Sequence, residues 1–137
     1  MEKEISDFIK KNKIAAISCA GLDASPYVFH CFYAFDLKNK FLFFKSSPNS
    51  FHSSILNDNP KTAGSILPEK INLLALKGIQ FTGSILNDED IDSEYFYHKK
   101  FPFAIAKPGK VWCIQLEMIK MTDNTRAFGT KLKWERR

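Results

Sequence analysis

Phe43–Pro60 reads FFKSSPNSFHSSILNDNP, and the organisation of the rest of the chain follows from it. An apolar, strand-like run ends in Lys45-Ser46-Ser47 and gives way at once to a helical segment. Ser47-Pro48 predicts the helix start, because Ser is a favoured N-cap and Pro suits the first helical position, where its missing N–H costs nothing. Asn59-Pro60 ends the helix near Asp58, since a residue before Pro is pushed out of the α region. The junction is dense in hydroxyls: Ser46, Ser47, Ser50, Ser53 and Ser54, with His52 among them and Lys45 at the end of the strand. The N–H groups of a helix's first turn carry partial positive charge and attract anions. Hydroxyls add donors and Lys45 adds a full charge, a set that suits a phosphate better than a carboxylate. The same residues also describe an ordinary N-capped surface helix, serine-rich for solubility.

Upstream, Ile5, Phe8 and Ile9 form an i, i+3, i+4 stripe within residues 1–13, which predicts a short amphipathic helix. Ile14–Cys19 reads as a strand turning at Ala20-Gly21. Tyr27–Phe35 and Phe41–Lys45, separated by the polar Asp36–Lys40, read as a hairpin. Their apolar residues run continuously rather than alternating, so both faces should be covered, by barrel closure or by a subunit interface. Downstream, Lys61–Leu67 and Leu73–Leu86 read as strands, with Gly78 and Gly83 as bulges or points of close approach. Asn87–Lys100 reads as a helix with Asp88, Glu89, Asp90 and Asp92 at its start and Lys99 and Lys100 at its end, matching the macrodipole. Its acidic cluster lacks the glycine and glutamate of a calcium loop. Pro102 and Pro108 bracket a loop, Val111–Thr122 is a strand, and Phe128–Trp134 is the last. The expectation is one α+β domain over residues 1–137, built on a small barrel with short helices.

Composition narrows the class. The 137 residues include 13 Phe, 4 Tyr and 2 Trp, too many aromatics for a disordered chain. No apolar run approaches the ~18–20 residues of a membrane helix, and Met-Glu-Lys-Glu does not open a secretion signal. A cytoplasmic, soluble protein is expected. The net charge of +5 is a mild preference for anionic ligands rather than a nucleic-acid signature, and much of it sits in Lys131, Lys133, Arg136 and Arg137. Cys19, Cys31 and Cys113 are odd in number and widely spaced, so they read as small buried hydrophobes and not as a disulfide or zinc framework. His30, His52 and His98 lie on different elements without metal-ligand spacing, and no G-x-S-x-G elbow supports a hydrolase.

The junction resembles the pyridoxamine-phosphate-oxidase-like superfamily of FMN-binding split barrels. In the oxidase, an aromatic-Tyr-Thr strand end is followed by Ser-Arg-Lys, Leu and Asn-Pro. Here Lys45 falls on the Tyr, Ser46 on the Thr, Ser50 on the Ser, Phe51 on the Arg and His52 on the Lys, with Leu56 and Asn59-Pro60 closing the match. The resemblance implies that Ser46, Ser50 and His52 bind an FMN phosphate, with Lys45, Ser47 and Ser53 as neighbours. Phe51 and His52 remove positive charge relative to that pattern, and Lys45 restores part of it. The ring-contacting strands of the oxidase map near His30 and Phe32, and near Thr122-Asp123-Asn124, where Asn124 offers an amide donor and acceptor.

A resemblance over nearly the whole chain is to the YhbP-like bacterial proteins. It rests on Ala34-Phe35-Asp36, Gly78–Gly83, Phe101-Pro102, and the run from Trp112 through Thr122-Asp123-Asn124 to Phe128-Gly129 and Trp134. It implies a six- to seven-stranded antiparallel split β-barrel with flanking short helices and a homodimer with two FMN sites between subunits, and carries no assigned reaction. Vitamin B6 oxidation is not implied: Tyr95–Lys100 puts Lys99 at an Arg position and lacks the following Ser, and no Arg-Leu-His occurs. The expected activity is FMN-dependent oxidoreduction with nicotinamide as reductant. The alternatives are haem binding, with His30, His52 or His98 as axial ligand, and a non-catalytic flavin sensor.

Overall fold

The computed structural model describes residues 1–125 and 130–137. The N-terminal stripe forms helix α1 (Lys3–Lys11), burying Ile5, Phe8 and Ile9. Two hairpins follow, β1 (Ile14–Ala20) with β2 (Pro26–Phe32), and β3 (Ala34–Asp36) with β4 (Phe41–Ser46). Then come α2 (Phe51–Asp58), β5 (Lys61–Ile66), β6 (Lys77–Ile85), α3 (Ser93–Lys100), a 3-10 turn (Pro102–Ala106), β7 (Lys110–Asp123) and β8 (Thr130–Glu135). Every pairing is antiparallel, and the strand order is β2-β1-β5-β6-β7-β4-β3 with β8 on β7. β4 and β8 share one edge of β7, along Lys110–Gln115 and Met118–Asp123 respectively. The sheet coils until β2 meets β4, with the rings of Phe29 and Phe44 5.6 Å apart. The fold is the expected α+β split barrel. Among the described residues no helix is long and apolar enough to cross a membrane.

Several boundaries differ from the sequence reading. The run Tyr27–Phe35 is two strands, and β2 pairs with β1, so the hairpin expected over Tyr27–Lys45 contains only β3 and β4. The break falls at Tyr33, a buried residue whose Oη donates to the Ile9 carbonyl at 2.6 Å, tying α1 to the corner between the two hairpins. The split brings the strand total to eight among the described residues. Helix α2 starts three residues late: Ser47-Pro48-Asn49 is a turn closed by Ser50 N–H to the Ser47 carbonyl, and Ser50 is the N-cap. β6 begins at Lys77 and not at Leu73. α3 begins at Ser93, capped by Asp92 accepting from the Tyr95 N–H, so Asp88, Glu89 and Asp90 precede the helix. Phe128 and Gly129 of the expected last strand lie outside the described residues.

β7 carries the longest run in the barrel and a single irregularity. Thr82 faces Met118 and Gly83 faces Leu116, leaving Glu117 as an extra residue. A one-residue bulge shifts the two-residue alternation of a strand. Trp112, Ile114 and Leu116 before it, and Ile119 and Met121 after it, therefore all enter the same core. Glu117 stays at the surface, where a hydrogen bond from Ser84 Oγ and the nearby Lys61 ammonium hold its carboxyl below the usual range.

β4 is covered on both faces, as its unbroken apolar run predicts. Leu42 and Phe44 enter the barrel core. Phe43 enters a second cluster with Tyr97, Phe101 and Ala104 of the α3 region and Val111 and Cys113 of β7. This alternation decides where the last two residues of β4 point.

Candidate functional site

At the end of β4 the alternation separates Lys45 from Ser46. Lys45 continues the Phe43 side: its ammonium donates to the Ala104 carbonyl at 2.7 Å and lies 3.0 Å from His98 Nε2. Ser46 continues the barrel side and meets α2. Its hydroxyl lies 2.5 Å from His52 Nε2, and Ser50 Oγ lies 3.1 Å from the same nitrogen. Ser50 Oγ is 2.7 Å from Ser53 Oγ, which is fully buried and donates to the Ser47 carbonyl at 2.7 Å. Ser46, Ser50, His52 and Ser53 thus form one hydrogen-bonded cluster around the first turn of α2, with the Ser47 carbonyl beneath it.

The imidazole is fixed from the other side by Phe29, stacked at a centroid distance of 3.7 Å. Beside it, Tyr27 packs on Phe51 at 4.8 Å. β2 therefore braces α2 through two aromatic pairs. Burial holds the His52 imidazole below its ordinary range, so at neutral pH it is uncharged. A neutral imidazole has one N–H and one bare nitrogen, and hydroxyls both donate and accept. With its proton on Nε2 the imidazole donates to Ser46 Oγ and leaves the Ser46 O–H free to point outward, while the Ser50 and Ser53 hydroxyls donate to the Ser47 carbonyl. By helix geometry the N–H groups of Phe51 and His52 have no intrahelical acceptor, while Ser50 meets those of Ser53 and Ser54. In donor chemistry the residues present fit a phosphate.

The other expected contacts lie elsewhere in the chain. His30 and Phe32 occupy the outward face of β2, opposite to Tyr27 and Phe29. His30 is exposed and lines a groove of about 230 Å3 with Ile14, Ser65, Leu67 and Glu69, while Phe32 is 44% exposed. Asn124 follows the far end of β7, its N–H donating to the Leu76 carbonyl at 3.0 Å. The β7 end that pairs with Ser46 is Lys110, so on the order of 40 Å of strand separates Asn124 from the serine cluster. One chain brings together Ser46, Ser47, Ser50, His52 and Ser53, and sets His30, Phe32, Asn124 and the Lys45 ammonium apart from them.

Lys110 itself was missed by sequence reasoning. It stands directly across from Ser46 in the β4–β7 ladder, and residues directly opposite in an antiparallel pair project to the same face. Its ammonium rests over the Trp112 ring, 4.4 Å from the centroid. Gly109 precedes it with φ of +151°, and a Cβ there would come within 3.3 Å of the Ser46 carbonyl. Only glycine takes that backbone conformation without strain.

No family model matches the chain. Its sequence is similar to curated relatives along its full length. A UPF0306 protein from Haemophilus ducreyi is 36% identical, covering 96% of this chain and 93% of the relative. A UPF0306 protein from Serratia proteamaculans is 30% identical, with 98% and 95% covered. These relatives are named UPF0306 rather than YhbP-like proteins. Among solved structures, the fold is similar to a haem-binding protein from Mycobacterium smegmatis, with a TM-score of 0.76, 10% identity, and 93% of this chain and 55% of that chain covered. An FAD-binding protein from Mesorhizobium loti superposes with a TM-score of 0.68 at 17% identity, covering 88% and 94%. A protein of the pyridoxinephosphate oxidase family from Clostridium acetobutylicum gives 0.67 at 14% identity, covering 96% and 92%. At these identities the likeness is one of fold.

Proposed function

The chain belongs to the UPF0306 family, and on that premise we propose that it is a homodimeric FMN-binding oxidoreductase, taking electrons from a reduced nicotinamide and passing them to a small acceptor. The observation that carries this reading is the hydroxyl–imidazole cluster of Ser46, Ser50, His52 and Ser53 at the first turn of α2. Bound FMN supplies the redox chemistry. The chain's part is to hold its phosphate with the serine hydroxyls and the α2 N–H groups, and to keep His52 flat against Phe29 so that Nε2 stays between two hydroxyls. Asn124, His30 and Phe32 lie too far from that cluster, or on the wrong face, to meet the same ligand within one chain. In this reading they come to the ligand from the second copy of the homodimer.

A second reading, haem binding, is favoured by one feature. His52 and His98 each have Nε2 engaged, by Ser46 and Ser50 and by Lys45, whereas His30 is exposed beside a groove. In that reading His30 is the axial ligand.

Purified protein incubated with FMN and desalted separates these readings. Retained flavin absorbance that bleaches anaerobically on adding NADH or NADPH supports the oxidoreductase. Flavin that is retained but stays oxidised makes the chain a flavin-binding module. A protein that gains no flavin absorbance, and instead gives a Soret band with haem that is lost in His30→Ala, replaces the proposal with the second reading.

A further inference from the structure

We infer that Lys110 supplies the positive charge at the serine cluster and so makes it selective for a phosphorylated flavin over the unphosphorylated one. This rests on the reading that the cluster holds the FMN phosphate. A phosphate dianion needs more than neutral donors. Three of the four clustered side chains are hydroxyls, and the fourth is an imidazole that burial keeps uncharged. The cation next in sequence, Lys45, lies on the opposite face of β4 and is bound to the Ala104 carbonyl and to His98.

The ladder provides another cation. Ser46 and Lys110 are directly opposed, and their Cβ atoms lie on one face about 5 Å apart, well within the reach of a lysine. Gly109 lets the start of β7 approach the Ser46 backbone this closely. The ammonium sits on the Trp112 face at 4.4 Å. A single cation–π contact is weaker than a charge-assisted hydrogen bond to phosphate, so the ammonium exchanges one for the other. Its competing partners are the carboxylates of Asp88, Glu89, Asp90, Asp92 and Glu94, which line a cleft together with Lys110 on the other edge of β7.

The test is a set of fluorescence titrations with FMN and with riboflavin, on the wild-type protein, Lys110→Met, Lys110→Arg and Lys133→Met. Lys110→Met is expected to weaken FMN binding by about tenfold or more, the cost of one lost hydrogen bond to a charged group. Riboflavin affinity should change by less than about twofold, because no phosphate is there to miss the charge. Lys110→Arg should retain most of the FMN affinity. Lys133→Met, which removes a charge on β8, should leave both affinities unchanged. Raising the salt should weaken FMN binding to wild type more than to Lys110→Met. An unchanged FMN affinity in Lys110→Met overturns the inference and leaves the FMN reading intact. Equal losses for FMN and riboflavin with a lowered Tm also overturn it, because Lys110 would then be serving the fold through the acidic turn. A wild-type protein that binds neither flavin overturns the underlying reading, and this inference with it.

Discussion

The imidazole of His52 lies flat on the ring of Phe29, with centroids 3.7 Å apart and planes 9° from parallel. That contact joins the cluster to the barrel wall. It also fixes which edge of the imidazole faces Ser46 and Ser50, so the positioning of the site depends on a core residue of β2.

The cluster should fail in parts. Ser46→Ala and His52→Ala are each expected to weaken FMN binding by roughly 1.5–3 kcal/mol, the usual value of a hydrogen bond to a charged group. The two losses should not add, because the side chains share a 2.5 Å hydrogen bond. Equilibrium titration of the single and double variants measures both. Full affinity in the double variant would move the phosphate elsewhere.

His52 also predicts a pH dependence of stability. Burial depresses its folded-state pKa, so the unfolded chain binds this proton more readily. The contribution to stability is complete above the unfolded value of about 6.5 and is lost as pH falls through the lower, folded one. Melting temperatures measured from pH 8 to pH 5 should fall less steeply in His52→Gln than in wild type. Parallel curves would show that the ring titrates normally.

Tyr33 holds the corner between the hairpins. Tyr33→Phe keeps the ring but leaves the Ile9 carbonyl without its 2.6 Å donor. A loss of about 1–3 kcal/mol is expected for such a buried unpaired group, read from urea unfolding at constant m-value. A neutral result would mean that water replaces the hydroxyl.

Gly64 is the least replaceable glycine on the barrel wall. A Cβ there would sit 2.6 Å from the Ala16 carbonyl and against the Phe81 ring. Neither neighbour can withdraw, since Ala16 is in the β1–β5 ladder and Phe81 is core. Gly64→Ala should cost about 1–3 kcal/mol, as overpacking does. A Tm within a degree of wild type would show that β5 can shift.

The amount legible in the sequence follows the range of the forces involved. Helix α1, β1, the core of β4 and the stop at Asn59-Pro60 are written in local periodicity and in proline chemistry, and they appear in the structure. The break at Tyr33 is not legible, because an inward aromatic bonded to a distant carbonyl looks like any other residue of an apolar strand. The start of α2 was misplaced because Ser47-Pro48 suits a turn as well as a helix cap. At the site, the serines and His52 come from one short segment and were found together. The direction of Lys45 was hidden because Leu42, Phe43 and Phe44 are all apolar, so hydrophobicity does not reveal the phase of a strand covered on both faces. Lys110 was hidden because its relation to Ser46 exists only in the register between two strands far apart in the chain.

The extra residue at Glu117 has a consequence for how this barrel tolerates change. Deleting it would close the bulge and set Met118 next to Leu116 in an unbroken ladder, with Ile119 and Met121 still facing the core. A chain one residue shorter at that point would keep the inward and outward positions beyond it, those paired with β8 included, and would lose the local kink and the contacts of Glu117 with Ser84 and Lys61.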